Sequence, residues 1–261
     1  MKIITLTTDL GTLDSYLASV KGAIYSQSDD FKVVDISNHI EPFNIHQAAY
    51  ILRNCYKDFP IGTVHVISVD DELSINCQHV AVQSQGYYFI GPDNGFFSLL
   101  FNKISPEKIV LLNLSLTTDC MTFSIKNIFV PAACHIARGG SLEMIGTIVD
   151  DFELKKIELK AVIQSDLIRG SVVYIDKYGN VITNISKDEF LKVQKGRVFS
   201  ILFGREDEKI SSISAKYQDV PIAEKLALFG ENNQLQIAIN KGMASKLLGL
   251  KIHEIVRIEF R

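Results

Sequence analysis

Strand-like and helix-like hydrophobic patterns alternate through the first half of the chain. Strands are predicted over KIITLTT, KVVDIS, TVHVISV and KIVLLNL, and a hairpin is predicted where HVAVQS and YYFIG flank a Gln-Gly pair. Helices are predicted over LDSYLASVKGAIYS, where Tyr16, Val20 and Ile24 have helical spacing, over IHQAAYILRNCY and over NIFVPAACHIARGG. In the last of these, Pro131 either kinks the helix or marks its first turn. This alternation predicts an α/β domain over 1–150 with a mainly parallel sheet covered by helices.

The pattern changes near residue 151. The segment DDFELKKIELK is charged, which predicts a linker over 151–166. Short strands with few helices follow, in SVVYIDKYGNVITNI, RVFSILF, LALFG, QLQIAI and EIVRIEF. They predict a small all-β domain over 167–261, either a barrel or a sandwich.

Composition favours a globular enzyme that acts on a small molecule. The 261 residues are 47% hydrophobic, and 27 basic against 30 acidic residues give a net charge of −3 without any basic run. Nucleic acids and anionic membranes are therefore poor partners. The amino terminus lacks a signal-peptide pattern, and no apolar stretch reaches the about 18 to 20 residues of a spanning helix, so a cytoplasmic protein is expected. Cys55, Cys77, Cys120 and Cys134 have no CxxC spacing and are interpreted as reduced thiols, not as metal ligands.

The first candidate site is TTDLGTLDSYLASVKG, residues 7–22, which follows the first predicted strand. A phosphate cradle is disfavoured, because neither GxGxxG nor GxxxxGKS is present and Asp9 and Asp14 place negative charge there. Carboxylates at the end of a first strand are suited to hold ribose hydroxyls or a cation, and Gly11 allows close approach. The structural alternative, in which Asp14 caps the helix and Asp9 closes a turn, stays open on residue types alone.

Four further segments contain candidate side chains. Asp70 in SVDDELS stands where a strand-end catalytic carboxylate lies, although a solvated acidic turn fits equally well. GPDNGFF is typical of a turn and helix cap. His135 lies on an apolar helix face, where a buried core histidine is the simpler interpretation. In IDKYGNVITNI a tight turn explains Asp176 and Asn180, and the nearby tyrosine is suited to stack on a flat ring.

Taken in order, these segments resemble one family. TTDLGTLDSYLASVKG, ISNHIEPFNIHQAAYIL, SVDDELS, GPDNG, FVPAACHIARG, IDKYGNVITNI and QLQIAINKGMASKLLG are similar to the S-adenosyl-L-methionine (SAM) hydroxide adenosyltransferases, relatives of the adenosyl-fluoride and adenosyl-chloride synthases. The resemblance spans nearly the whole chain. It implies an amino-terminal α/β domain, a carboxy-terminal β-barrel and a homotrimer that binds SAM between the first domain of one subunit and the second domain of its neighbour. No cofactor or metal is implied beyond SAM as substrate.

The resemblance also implies a role for each matching residue. The expected catalytic residues are Asp70 and His135. The expected substrate contacts are Asp9 on the ribose diol, Asp14 near the methionine end, Phe43 near the sugar, Thr122 and Phe123 beside the reacting carbon, Asp176 and Asn180 on the amino-acid part, Tyr178 on adenine, and the backbone of Ile239, Asn240 and Lys241 on the adenine edge.

Two departures from the family pattern concern the reacting centre. Members of the family pair the aspartate and histidine with an arginine that follows VDPGVG, whereas this chain has VDDELSINCQH, so Cys77 falls near the arginine's place. The step after Thr122 and Phe123 reads SIKN, where the family usually has a histidine, a glycine, an arginine and an aspartate. Loss of the cation removes a partner of Asp70. From sequence, His79, Lys126 and Arg138 are all open as replacements.

Three functions are therefore weighed. The favoured one is hydrolysis of SAM to adenosine and methionine by water or hydroxide at C5′. A non-catalytic adenosyl-binding protein, or an enzyme on a related nucleoside, is the alternative that the missing arginine supports. Halide adenosyltransfer is least favoured, because an acidic residue at position 70 repels a small anion.

Overall fold

A computed structural model of the chain describes residues 2–75, 77–101, 104–113, 122–152, 160–204 and 209–261. The chain divides into two compact units, Met1–Glu158 and Leu159–Arg261. Cys120 and residues 153–159 of the predicted linker lie outside the described residues. Among the described helices, none is long and apolar enough to cross a membrane.

The first unit contains one seven-stranded sheet in the order β2-β1-β3-β5-β4-β6-β7. Its strands are β1 (Lys2–Thr8), β2 (Phe31–Ser37), β3 (Val64–Ser68), β4 (His79–Ser84), β5 (Tyr87–Pro92), β6 (Lys108–Leu112) and β7 (Gly146–Val149). Its α-helices are α1 (Tyr16–Tyr25), α2 (Ile45–Arg53), α3 (Phe96–Phe101) and α4 (Val130–Ala137).

The prediction of a mainly parallel sheet is wrong for the second half of this unit. The neighbours β2, β1, β3 and β5 are parallel, but β5, β4, β6 and β7 are antiparallel to one another, so the sheet is mixed. The cause is the predicted hairpin, which is confirmed: Gln85 and Gly86 have φ values of 52° and 79° and turn the chain directly back. Strand β6 then pairs antiparallel with β4, and β7 pairs antiparallel with β6, although α3 and α4 precede these strands in sequence.

Two apolar clusters lie against the sheet. One contains buried residues of α1 and α4, and the other contains buried residues of α2 and α3. Pro131 stands in the first turn of α4, as one of its two interpretations predicts. A π-helical segment, Ile125–Phe129, precedes α4 directly, and such segments are frequent at functional sites.

A buried histidine lies in the second of these clusters. His65 is fully buried within an aromatic cage, and its Nδ1 atom is 2.8 Å from the hydroxyl of Thr5. Its Nε2 atom has no hydrogen-bond partner within the described part of the chain. Burial lowers the pKa of His65 from 6.5 to about 3, so the ring is neutral in the fold. The ring is surrounded by Tyr56, Phe59, Tyr87 and Phe89.

His65 should make the protein sensitive to acid. Between pH 6.5 and about 3 the unfolded chain binds a proton at this histidine that the folded chain does not, so stability falls as the pH drops through that window. A Thr5→Val, His65→Phe double variant keeps the aromatic packing and should unfold in acid about one pH unit lower than the parent. Circular dichroism against pH measures this. His253→Asn, which removes an exposed histidine at a φ of 70°, is the control, and an equal shift in both variants would contradict the assignment.

The second unit is a nearly closed sheet in the order β12-β11-β15-β9-β10-β14-β13, with β8 paired to β9. The end strands β12 and β13 contact each other, and Ile213 forms a bridge with Ala227 of β13. The strands are β8 (Val162–Ile163), β9 (Leu167–Ile175), β10 (Val181–Ser186), β11 (Phe199–Phe203), β12 (Lys209–Ile210), β13 (Lys225–Phe229), β14 (Gln234–Ile239) and β15 (Ile255–Phe260).

The sequence pattern predicted an all-β domain here, but the second unit also contains helices. It contains helices α5 (Lys187–Gln194) and α6 (Ala244–Leu247). Helix α5 begins at a capping box in which Ser186 and Glu189 bond reciprocally, and only Phe190 and Val193 are buried. Two buried side chains give too weak a periodicity to be recognised. The predicted linker range 151–166 includes β8, which pairs with β9.

Candidate functional site

The loop after β1 holds the first predicted contact, Asp9. One carboxylate oxygen of Asp9 accepts a hydrogen bond from the backbone N–H of Phe43 at 3.0 Å. Phe43 has a φ of 65°, which is rare for an aromatic residue, and its side chain is 72% exposed. Strained backbone of this kind clusters at functional sites, and the contact of this pair with the sugar stays a prediction.

The segment containing Thr122 and Phe123 lies beside the start of α1. The rings of Phe123 and Tyr16 pack edge to face with centroids 5.7 Å apart. Asp14 is exposed and stands two residues before Tyr16. It does not cap α1, because the N-cap residue is Ser15, which makes no capping bond through its side chain. The structure thus places Phe123 against Tyr16, the first residue of α1, and a shared site with Asp9 and Asp14 stays a prediction.

Asp70 follows β3, whose end lies next to the end of β1. The parallel register pairs Thr8 with Ser68, and Asp9 N–H donates to the carbonyl of Ser68 at 3.4 Å. Asp70 is exposed and has a φ of 52°. Its neighbour Asp71 is half-buried, and burial raises the pKa of that carboxyl, with the negative charge of Asp9 acting in the same direction. The carboxylates at the ends of β1 and β3 are therefore close enough to influence one another.

His135 lies in the last turn of α4, where its ring contacts the segment that follows the helix. Its Nε2 atom lies 3.0 Å from the carbonyl oxygen of Ser141, just past the end of α4. A carbonyl only accepts, so Nε2 carries the proton and Nδ1 is the basic atom. Gly140 has no space for a side chain, since a Cβ would lie 2.2 Å from Nε2. No hydrogen bond joins His135 to Asp70 in the described ranges, and their joint action stays a prediction.

In the part of the chain that the structure describes, no ion pair joins Asp70 to His79, Lys126 or Arg138, the three replacements that the sequence left open. Cys77 exchanges two backbone hydrogen bonds with Ser74, at 3.1 and 3.2 Å, in a tight turn. Arg138 donates to Gln27 and lies 5.5 Å from the ring centroid of Phe31. Burial lowers the pKa of His79, which keeps its ring neutral. As for metal, the residues described contain no group of three or more His, Cys, Asp or Glu side chains placed to bind an ion.

The second unit holds a cavity of about 750 Å³ that gathers six of the predicted contacts. The DKYGN turn forms one wall: Asp176 accepts hydrogen bonds from the backbone N–H groups of Tyr178 and Asn180 and from the Asn180 side chain, at 2.8 to 2.9 Å. Tyr178 is 77% exposed and presents its ring. The cavity is lined by Asp176, Lys177, Tyr178, Asn180, Tyr217, Gln218, Ile239, Asn240, Lys241, Gly242 and Met243.

The backbone of Asn240, which also lines the cavity, is hydrogen-bonded within the second unit. The N–H of Asn240 already donates to the carbonyl of Glu224 at 3.0 Å, and its carbonyl accepts from Ala223 at 2.9 Å. A backbone N–H makes one strong bond, so this donor is not available to a ligand. Lys241 has a φ of 55°, which turns the chain at the cavity. Its backbone stays a predicted contact.

Sequence reasoning missed Tyr217, Gln218 and Met243 in this cavity. The hydroxyl of Tyr217 accepts from the Asn180 side chain at 3.5 Å and donates to Gln236 at 3.4 Å. Burial, with a smaller effect of the Asp176 charge, raises the pKa of Tyr217. Tyr217 and Gln218 lie in a one-turn 3₁₀ helix and Met243 is the N-cap residue of α6, and such short elements have too few residues for a hydrophobic period to single them out.

Comparison with known proteins places both units in one family. The model of the SAM hydroxide adenosyltransferase N-terminal domain matches residues 4–146, and that of the C-terminal domain matches residues 170–257. A relative from Methanocaldococcus jannaschii, named (R)-S-adenosyl-L-methionine hydrolase, is 30% identical over 267 residues, which cover 99% of this chain and 96% of the relative. A protein from Actinopolyspora mzabensis, named fluorinase, is 26% identical over 71% of this chain and 72% of its own length.

The same relationship holds for structure. A crystal structure of a conserved protein from Thermotoga maritima superposes with a TM-score of 0.89 at 29% identity, covering 98% of this chain and 99% of that one. The sequence similarity and the structural similarity both extend over the two units. The chain belongs to the SAM hydroxide adenosyltransferase family.

Proposed function

We propose that the protein hydrolyses SAM to adenosine and L-methionine. The observation that carries this proposal is the cavity of the second unit, which collects Asp176, Tyr178 and Asn180 from one segment and Ile239 to Lys241 from another. The family resemblance implies that both segments contact the adenosyl and methionine parts of SAM. The full-length relative named as a hydrolase supports the same reaction.

The reaction is a displacement at C5′ of the adenosyl group. The oxygen of water forms a bond to C5′, the C5′–S bond breaks, and its electron pair returns to sulfur. The sulfonium leaves as the neutral thioether of methionine, so the leaving group needs no proton. One proton is released from the attacking water, and Asp70 or the Nδ1 atom of His135 takes it in this proposal. The protein's main task is to align the oxygen with C5′ at about 3 to 3.5 Å.

The remaining predicted contacts bind the substrate in this scheme. Asp9 accepts hydrogen bonds from the ribose diol, with Phe43 beside the sugar, and Thr122 and Phe123 lie beside the reacting carbon. Asp14 and Asp176 bind the methionine part. We also propose the homotrimer that the resemblance implies, which light scattering would support by a mass three times the 29.2 kDa of the chain.

Incubation of the purified protein with SAM in ¹⁸O-labelled water tests the reaction. We expect adenosine carrying ¹⁸O at its 5′ oxygen and one equivalent of unlabelled methionine, both resolved by chromatography with mass detection. Parallel samples contain fluoride or chloride. A 5′-halo-adenosine would replace the proposal with halide transfer, and SAM recovered unchanged but bound would replace it with a binding function.

A further inference from the structure

The side chain of Asn94 forms hydrogen bonds with the backbone of Asp70 and of the residue before it. The amide nitrogen of Asn94 donates to the carbonyl oxygens of Val69 and Asp70, at 3.1 and 2.9 Å. The other end of the same amide, Oδ1, accepts from the backbone N–H of Phe96 at 3.2 Å. Asn94 is therefore fixed at both ends, and it holds two successive carbonyl groups of the loop that follows β3.

The side chain of His79 forms a hydrogen bond with the backbone of Asp71, the next residue of this loop. His79 Nε2 lies 2.9 Å from the carbonyl oxygen of Asp71, so the ring is the tautomer with its proton on Nε2. His79 is 2% exposed and packs edge to face with Phe129 at 4.7 Å between centroids. The hydroxyl of Ser68 donates to the Asp71 carboxylate at 2.7 Å. Each carbonyl group from Val69 to Asp71 thus accepts a hydrogen bond from a side chain.

These bonds surround a strained residue. Asp70 has a φ of 52°, in the left-handed region that residues other than glycine rarely occupy. Such a conformation persists only where its surroundings over-determine it, and such residues cluster at functional sites. The strained residue here is the one whose carboxylate is proposed to act on water, and it lies between the carbonyl groups that Asn94 and His79 hold.

We propose that Asn94 and His79 are positioning residues, which hold Asp70 in its left-handed conformation and thereby aim its carboxylate at the attacking water. The inference rests on the proposed hydrolysis. It assigns to neutral hydrogen-bond donors the orienting task that a cation beside Asp70 would otherwise perform. A donor to a backbone carbonyl acts at neutral pH without adding charge next to a cationic substrate.

The variants Asn94→Asp and His79→Phe remove the donors and keep the shapes of the side chains. Asn94→Asp retains the oxygen that accepts from Phe96. We expect kcat to fall about tenfold to a hundredfold, because a displacement of the Asp70 carboxylate by on the order of 1 Å has a cost of this size. KM should change by less than about twofold. His79→Gln keeps an N–H donor and should stay within about threefold of the parent. Asn232→Asp is the matched control, because Asn232 accepts from the N–H two residues on, as Asn94 does.

A double-mutant cycle separates positioning from a general structural role. In an Asp70→Asn background there is no carboxylate to aim, so Asn94→Asp and His79→Phe should each change kcat by less than about twofold. Losses of equal size in both backgrounds would show that the two residues act independently of Asp70, and would overturn the proposal.

Crystal structures of the parent and of the Asn94→Asp, His79→Phe double variant give a readout that needs no activity. The parent should keep Asp70 near its φ of 52°, and the double variant should show a negative φ. An unchanged φ in the double variant would overturn the proposal even if the enzyme were slow. A parent that forms no adenosine would instead refute the proposed hydrolysis, while the two φ values would still decide whether the donors hold the loop.

Discussion

Asp70→Asn should lower kcat for SAM hydrolysis by about a hundredfold or more while leaving the Kd for SAM within about twofold of the parent. The amide has nearly the shape of the carboxylate and tolerates the left-handed conformation, in which asparagine is enriched. It cannot accept a proton from the attacking water near neutral pH. Rates by chromatography and affinities by calorimetry measure the two effects separately.

The control for Asp70 is the same chemical change at an exposed aspartate outside the site. Asp30 lies in the turn before β2, at the amino-terminal ends of the parallel strands, whereas Asp9 and Asp70 follow the carboxyl ends of β1 and β3. Asp30→Asn is therefore the control variant. It should leave kcat unchanged. Turnover of Asp70→Asn equal to that of the parent would remove this carboxylate from the mechanism and leave His135 as the proton acceptor to test.

Asp9→Ala should weaken SAM binding by about 5-fold to 150-fold, which corresponds to roughly 1 to 3 kcal/mol for leaving buried ribose hydroxyls without their acceptor. The same change removes the acceptor of the Phe43 N–H, so the strained Phe43 loop also loses its fastening. We therefore expect the loss of SAM affinity to lie in the upper half of this range. Calorimetric titration with SAM, or with adenosine as the fragment that carries the diol, measures the loss.

Asp9→Asn separates the two contributions of this residue. It keeps an oxygen for the Phe43 N–H but has only one acceptor oxygen in place of two, so its affinity should lie between those of the parent and Asp9→Ala. Asp30→Ala is the control for removal of an exposed carboxylate. An Asp9→Ala protein that binds SAM as tightly as the parent would end the assignment of Asp9 to the ribose.

Local patterns predicted much of the fold and the chemical character of the site. The Gln85-Gly86 hairpin, the position of Pro131 in the first turn of α4 and the change from α/β to strand-rich texture all follow from residues close together in sequence. Turn chemistry and hydrophobic period act over a few residues, so they can be recognised without knowledge of the partners. The ordered motifs also identified the family.

Contacts between distant residues decided the rest. Whether β6 and β7 run parallel or antiparallel depends on backbone pairing that no side-chain pattern encodes. Tyr217 joins Asn180 across 37 positions of sequence, and Asn94 reaches Asp70 across 24, so neither contact has a local signal. The sequence by itself determined the two textures, the family and the residue types at the site. Only the tertiary structure decided which hydrogen-bond donors hold Asp70, because such bonds depend on how separate strands and loops are brought side by side.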